Sequence, residues 1–79
     1  MKLIIRNIDR NVTESQLKLM FDHYGKVQSC TLVKDKDTGE SKGFGFIEMP
    51  KQGEAKAAMI SINGQNIAGT KIRVKKAGR

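Results

Sequence analysis

Residues 41–49 read SKGFGFIEM and hold two of the chain's three phenylalanines, Phe44 and Phe46, close behind Lys42. In a β-strand, residues two apart point to the same side, so the two rings share a face with Glu48. A glutamate on that face indicates that it meets solvent. Exposed rings beside a cation can stack on flat groups and attract negative charge, so this stretch suggests a binding surface.

The charge balance favours an anionic partner. Fifteen Lys and Arg against eight Asp and Glu give a formal charge of +7 and a pI of about 9.9. A charge of this size attracts polyanions over a distance, which makes nucleic acid the first class of partner to consider. The alternative on charge alone is that the basic residues only keep the surface soluble, so their positions must decide.

Length and composition limit the class of protein. The 79 residues suffice for one core, so a single domain over residues 1–79 is expected. With 29% charged and 38% hydrophobic residues, and no apolar run long enough to cross a bilayer, the chain is expected to be globular with no membrane partner. The single cysteine, Cys30, excludes an internal disulfide, which agrees with a cytoplasmic location, or a nuclear one in a eukaryote.

The first half of the chain predicts a strand, a helix and a second strand. Residues 3–8 are mostly branched aliphatic and predict the first strand. Thr13 and Gln16 have the spacing of a capping box, and Gly25 follows where the helix should end. Residues 27–33 predict the second strand, with a bulge near Gln28. The apolar stripe of the helix consists of Leu17, Met20, Phe21 and Tyr24.

The second half repeats the pattern. A polar loop over residues 34–42 leads into the third strand, which ends before Pro50. A second amphipathic helix begins near Gln52, turns follow at residues 63–64 and 68–69, and residues 71–75 alternate as a last strand. The apolar positions of the second helix are Ala55, Ala58, Met59 and Ile62.

The order of elements is strand, helix, strand, strand, helix, strand. It predicts an α+β fold, a ferredoxin-like βαββαβ sandwich with a four-stranded antiparallel sheet and two helices on one face. No element remains to cover the other face. Gly45 is expected where a helix crosses so close beneath the sheet that a Cβ has no room.

The core is complete without Phe44 and Phe46, because the inward positions of the strands and helices already supply enough apolar residues. Rings framed by cations suit single-stranded nucleic acid, whose bases can stack and whose phosphates need neutralising. The alternative is that a dimer partner or a tail covers both rings. The residues expected to point outward are Ile4, Arg6, Thr31, Val33, Lys42, Phe44, Phe46, Lys71, Arg73 and Lys75.

Residues 42–49, KGFGFIEM, resemble the RNP1 octamer of the RNA recognition motif family, and residues 3–8, LIIRNI, resemble its RNP2 hexamer. The resemblance covers essentially the whole chain and extends to small stand-alone bacterial RNA-binding proteins and glycine-rich RNA-binding proteins. It implies that single-stranded RNA is the partner, in post-transcriptional regulation or RNA chaperoning. It also implies that Phe44 packs against sugars, Phe46 stacks on a base, Lys42 contacts a phosphate, and Lys75 and Lys76 lie where bases are often contacted.

Three positions depart from the family pattern. Ile4 stands where a second base-stacking aromatic is usual, so a platform of two rings that depends more on charge is expected. Arg6 occupies a position that is often small, and its guanidinium could stack on a base, reach a phosphate or remain solvated. Met49 replaces a core aromatic, which concerns packing. The full set of predicted RNA-binding residues is Phe44, Phe46, Lys42, Ile4, Arg6, Lys71, Arg73, Lys75 and Lys76.

No catalytic residue, metal ligand, cofactor or small-molecule substrate is predicted, and the chain is expected to be a monomer. Residues 35–39, DKDTG, resemble the start of an EF-hand loop, but the glycine comes one place early and Phe46 occupies the position of the bidentate glutamate. Two alternatives stay open: a protein-interaction or dimerisation module, for which Leu19 off the core stripe is a hint, and single-stranded DNA binding. The basic end, residues 75–79, fits a C-terminus or the start of a longer tail.

Overall fold

The computed structural model describes residues 1–77 of the chain, so the last two residues of the predicted domain, Gly78 and Arg79, lie outside the described residues. Within that range the first strand comes before any helix, and a short hairpin precedes the last strand. The elements are β1 (Lys2–Arg6), α1 (Glu14–Asp22), β2 (Ser29–Lys34), β3 (Ser41–Glu48), α2 (Gln52–Ile62), β4 (Asn66–Ile67), β5 (Thr70–Lys71) and β6 (Arg73–Lys76).

Four of the strands form one antiparallel sheet in the order β2-β3-β1-β6. The first and third strands are therefore the two central ones and lie side by side. Both helices pack on the same face, through buried residues that belong to one cluster with the inward side chains of the strands. The predicted α+β, ferredoxin-like βαββαβ arrangement is confirmed.

Helix α1 begins where the capping box predicts. The Thr13 hydroxyl accepts a hydrogen bond from the Gln16 amide at 3.2 Å, and the Gln16 side chain accepts one from the Thr13 amide at 2.9 Å. These two bonds satisfy amide groups that a helix start would otherwise leave unpaired. Leu17 and Phe21 are buried, and the helix ends at Asp22 with His23 as its C-cap.

The core lies between the helices and one face of the sheet. Val12, which is only 4% exposed, is a core residue that sequence periodicity missed, because it lies in the turn before α1 where no helical or strand period applies. The buried hydrophobic residues are Leu3, Ile5, Ile8, Val12, Leu17, Phe21, Val27, Leu32, Ile47, Met49, Ala55, Ala58, Ile62, Ile72 and Val74.

The bulge predicted near Gln28 agrees with the backbone at the start of β2. The Gln28 amide donates to the Glu48 carbonyl at 2.7 Å although the register places Glu48 opposite Ser29, so two consecutive residues face one. A second irregularity comes between Leu32 and Lys34, where residues 42–44 of β3 lie opposite the single residue 33 of β2. Gly43 supplies the extra length there with a φ of 82°, a conformation that other residues adopt at a cost.

Gly45 is required for a different reason from the one expected. A Cβ at this position would lie 2.5 Å from the carbonyl oxygen of Thr31 and 3.3 Å from the Cα of Leu32. The close neighbour is therefore the backbone of the adjacent strand β2 beside the bulge, and the expected helix crossing is wrong.

The predicted last strand over residues 71–75 is interrupted at Ile72. Its amide donates to the Gln65 carbonyl at 3.0 Å, and its carbonyl accepts from the Gly64 amide at 2.8 Å. Both groups are directed toward the turn after α2, and the pairing of β6 with β1 ends at Arg73, opposite Arg6. Residues 70–71 instead pair with residues 66–67 across a tight turn at Ala68 and Gly69, both of which have positive φ.

Candidate nucleic-acid interface

Strand β3 carries both rings to the face of the sheet that no described helix covers. Phe44 and Phe46 are half-buried, and their rings meet edge to face with centroids 6.2 Å apart and planes at 89°. The pairing register places Phe46 beside Ile4 of β1 and Thr31 of β2, and Phe44 beside Arg6. Both rings therefore lie on β3, one of the two central strands of the sheet.

The rest of this surface comes from β1 and β6. Ile4 lies between Phe46 on one side and Lys75 on the other, and Arg6 lies between Phe44 and Arg73. We call the surface the open face and define it by Ile4, Arg6, Phe44, Phe46, Arg73 and Lys75.

Positive charge predominates on the open face. Arg6, Arg73 and Lys75 are exposed, and none belongs to an ion pair among the described residues. The four strands of the sheet contain a single acidic residue, Glu48, which lies at one end of β3 between Lys2 and Ser29. The face therefore presents apolar groups beside uncompensated cations.

Two shallow depressions mark the open face, and Ile4 and Arg6 form the wall that they share. One has a volume of about 450 Å³ and the other of about 500 Å³. The first is lined by Ile4, Arg6, Asn7, Ile8, Lys42, Gly43 and Phe44. The second is lined by Ile4, Arg6, Phe46, Arg73, Lys75, Lys76 and Ala77.

Lys42 reaches the first depression because the bulge in β3 extends the chain at this point. The Gly43 amide donates to the Ser41 hydroxyl at 3.1 Å, and the Gly43 carbonyl accepts from the Ile8 amide at 2.8 Å. These bonds tie the bulge to the residues that follow β1. The exposed ammonium of Lys42 is thereby held near Phe44 at the edge of the face.

Lys71 is the predicted site residue that lies outside the four-stranded sheet. It belongs to the β4–β5 hairpin and lines another depression together with Arg73, Asn63, Gly64 and Ile72. Its carbonyl accepts a hydrogen bond from the Asn7 side chain at 2.7 Å, which ties the hairpin to the end of β1. Lys71 and Arg73 therefore belong to different strands, because of the break at Ile72, but both line this depression.

Lys2 belongs beside the site and was missed. Its ammonium nitrogen lies 4.8 Å from the centroid of the Phe46 ring, within the range of a cation–π contact. The period-two pattern that places Ile4 and Arg6 on the open face also includes Lys2. The predicted strand began one residue later, at Leu3, and so left it out.

The described residues contain no group of three or more His, Cys, Asp and Glu side chains that could hold a metal ion. Among the helices of residues 1–77, none is long and apolar enough to cross a membrane. The chemistry that the arrangement offers is stacking, apolar contact and attraction of anions.

The chain is similar to known proteins over most of its length. The family model described as RNA recognition motif matches residues 3–73. Glycine-rich RNA-binding protein 1 of Mycosarcoma maydis is 38% identical over 76 residues, covering 96% of this chain and 43% of that protein. The human protein named Probable RNA-binding protein 23 is 39% identical over 74 residues, covering 94% of this chain and 17% of that protein. The chain thus spans less than half the length of these curated relatives.

A solved structure resembles the whole described fold. The crystal structure of RNA-binding protein PG1 superposes with a TM-score of 0.94 at 35% sequence identity, covering 98% of this chain and 93% of that one. The likeness extends over all elements of the sheet and both helices.

Proposed function

Since the chain belongs to the RNA recognition motif family, we propose that it binds single-stranded RNA on the open face of its sheet. The observation that carries the proposal is the placement of Phe44 and Phe46, half-buried on a face that the core does not use. A folded protein rarely leaves rings beside uncompensated cations without a ligand for them.

The two rings suit different parts of a nucleotide. Because their planes are nearly perpendicular, at 89°, they cannot both stack on one flat base. Phe46, next to Ile4 in the middle of the sheet, serves as the base-stacking ring, and Phe44 packs against a sugar or between nucleotides. A stacked base contributes roughly 1 to 3 kcal/mol and is tolerated whatever its sequence.

The cations around the rings neutralise the phosphates. Lys42 lies at one edge of the open face and Lys75 and Lys76 at the other, with Arg6 and Arg73 between them. An RNA strand that crosses the open face would meet positive charge at both edges and between them. The logarithm of affinity should therefore fall with the logarithm of salt concentration, by about 0.7 for each phosphate neutralised on a single strand.

The wider role extends this proposal. The whole chain, residues 1–79, acts as one monomeric RNA-binding domain in post-transcriptional regulation or as an RNA chaperone. It binds rather than catalyses, and it works in the cytoplasm, or in the nucleus of a eukaryote. The matched relatives named as RNA-binding proteins support this reading.

The test is the double variant Phe44→Ala/Phe46→Ala, titrated with short single-stranded RNA of mixed sequence and followed by fluorescence anisotropy. We expect a loss of about 2 to 6 kcal/mol in binding free energy, with the folded state retained by circular dichroism. The matched control is Leu19→Ala, which removes an apolar side chain that is 62% exposed on α1, away from the sheet. Equal affinity of the wild type and the double variant would contradict the proposal.

Single-stranded DNA of the matching sequence belongs in the same titration, because it differs from RNA only by the missing 2′-hydroxyl groups and by thymine in place of uracil. A second candidate function, a protein-interaction or dimerisation module, is supported by Leu19 and by Ile60, which is 74% exposed on α2. Sedimentation over a range of protein concentrations separates it from the first. A rising mass that Leu19→Ala abolishes, without any RNA binding, would favour the module.

A further inference from the structure

Two arginines face each other across adjacent strands of the open face. The register pairs Arg6 of β1 directly with Arg73 of β6, so their side chains leave the same surface from neighbouring positions. Directly opposed residues in an antiparallel pair have Cβ atoms about 4.5 to 5.5 Å apart. Like charges on directly opposed residues of a sheet are destabilising, and an anion between the two guanidinium groups would relieve their repulsion.

No group of the described protein supplies that anion. Neither arginine belongs to an ion pair among residues 1–77. The nearest positions on the face are Phe44 beside Arg6, and Ile4 and Lys75 in the next row. Glu48, the acidic residue of the sheet strands, lies opposite Lys2 in the strand register, at the other end of β1 from Arg6. The neighbours of the arginine pair are thus apolar or positive.

We propose that Arg6 and Arg73 together bind one phosphate group of the nucleic-acid strand. The inference rests on the proposed function and adds the place of a phosphate within that site. A guanidinium offers a planar fork of N–H donors that matches phosphate oxygens, and two forks can share one phosphate. The bound phosphate also removes the repulsion between the arginines, so the pair gains more from it than two separate cations would.

The position of Arg6 and Arg73 indicates which phosphate of the bound RNA they contact. Arg6 forms part of the wall between the two depressions of the open face, and Arg73 lines the second one. A phosphate held there would lie between a nucleotide on the Phe44 side and a nucleotide on the Phe46 and Lys75 side. The same chemistry could come from a terminal phosphate, which experiment distinguishes.

A double-mutant cycle tests the shared phosphate. Arg6→Gln and Arg73→Gln should each weaken RNA binding on the order of tenfold, the usual effect of losing a charge-assisted hydrogen bond. Because either arginine alone still neutralises the shared phosphate, each single variant should keep most of the salt slope, and only the double variant should lower it by about 0.7. Because both side chains hold one phosphate, the double variant should lose clearly less than the product of the two single losses. A loss equal to the product would overturn the proposal.

The control is Lys56→Gln, which removes one exposed positive charge on α2. It should leave affinity within about twofold of the wild type, as expected for a remote surface charge. An equal loss in this variant would mean that only net charge matters, and would overturn the pair as a site. Oligonucleotides with hydroxyl ends and with phosphorylated ends separate the two sources. A loss in the arginine variants with hydroxyl-ended strands assigns an internucleotide phosphate, and a loss confined to phosphorylated ends assigns a terminal one.

A measurement without RNA separates failure of this inference from failure of the proposed function. Inorganic phosphate is titrated into the wild-type protein while the side-chain Nε–Hε signals of both arginines are followed by NMR. The two signals should shift together with one dissociation constant, and Arg6→Gln should abolish the shift of Arg73. Independent shifts, or none, would overturn the site even if RNA binds elsewhere on the face. Joint shifts in a protein that does not bind RNA would retain the anion site and reject the proposed function.

Discussion

The two faces of the four-stranded sheet are built from alternating residues of the same strands, and they have opposite properties. On the helix-covered face, Leu3, Ile5 and Ile47 are fully buried. On the open face, the residues that come between them in sequence are half-buried or exposed, among them Ile4 and Phe46. The difference teaches that apolar character alone does not place a residue in the core, since a complete core on one face leaves good core material available for a ligand.

Ile47 and Phe46 are adjacent in β3, and their replacement should give the largest contrast between an effect on stability and an effect on RNA binding. Ile47→Ala would leave a cavity among the buried residues and should lower the free energy of unfolding by about 2 to 5 kcal/mol. Urea denaturation with an unchanged slope measures this loss. Affinity for RNA, measured under conditions where the variant is folded, should stay close to that of the wild type. A loss below about 1 kcal/mol would show that the helix-covered face is less tightly packed than its burial implies.

Phe46→Ala is the counterpart on the open face. It should cost about 1 to 3 kcal/mol in RNA binding and much less in stability, because the ring is only half-buried. The same denaturation and anisotropy measurements apply. If this variant unfolded as readily as Ile47→Ala, the two faces would not differ in role.

Gly45→Ala tests the contact between the backbones of β2 and β3 at a position with no room for a Cβ. The added Cβ would meet the Thr31 carbonyl oxygen, so the strands must move apart at a cost of about 1 to 3 kcal/mol in stability. Thermal unfolding measures the cost. Gly53→Ala, in α2 with no atom within 4 Å of the added Cβ, is the matched control and should not destabilise the protein.

Ile4→Phe would add a third ring to the open face. Ile4 is half-buried between Phe46 and Lys75, so a ring at this position can extend over the surface instead of entering the core. We expect a gain of about 1 kcal/mol in RNA binding from one further stacking contact. In the Ile4→Phe background, removal of the Phe46 ring should then cost less affinity than it does in the wild type. Unchanged affinity for every RNA tested would mean that the platform of this protein does not extend to β1.

Cys30 gives the smallest expected effect. Cys30 is a half-buried residue of β2, and its sulfur lies 3.6 Å from the Glu14 carbonyl oxygen of α1. Burial, together with the negative charge of Glu14, raises the pKa of the thiol. Since the folded protein holds this proton more tightly than the unfolded chain, its contribution to stability is complete below the unfolded pKa and is lost as pH rises through the folded one. Alkylation by iodoacetamide should be slower in the folded protein, with a pH profile displaced upward. Equal profiles in folded and urea-unfolded protein would contradict the burial of the thiol.

Much of the fold was predictable because the local signals agree. The capping box at Thr13, the apolar stripe of α1 and the alternation of β1 each depend on residues close in sequence, and all appear in the structure. The candidate site followed from the same alternation, which places Ile4, Arg6 and the two rings on one face. What could not be predicted depends on contacts between distant residues. Examples are the bulge opposite Val33 and the break at Ile72.

The sequence by itself determined which residues of an unbroken strand such as β1 share a face, because side chains alternate along a regular strand with a period of two. Only the tertiary structure decided which strands are neighbours and in what register. That step placed Arg6 opposite Arg73, moved Lys71 onto a separate hairpin and brought Lys2 over the Phe46 ring. The physical reason is that neighbouring strands are chosen by how segments far apart in the chain pack together, whereas the residue pattern within one strand fixes only which side of that strand is buried.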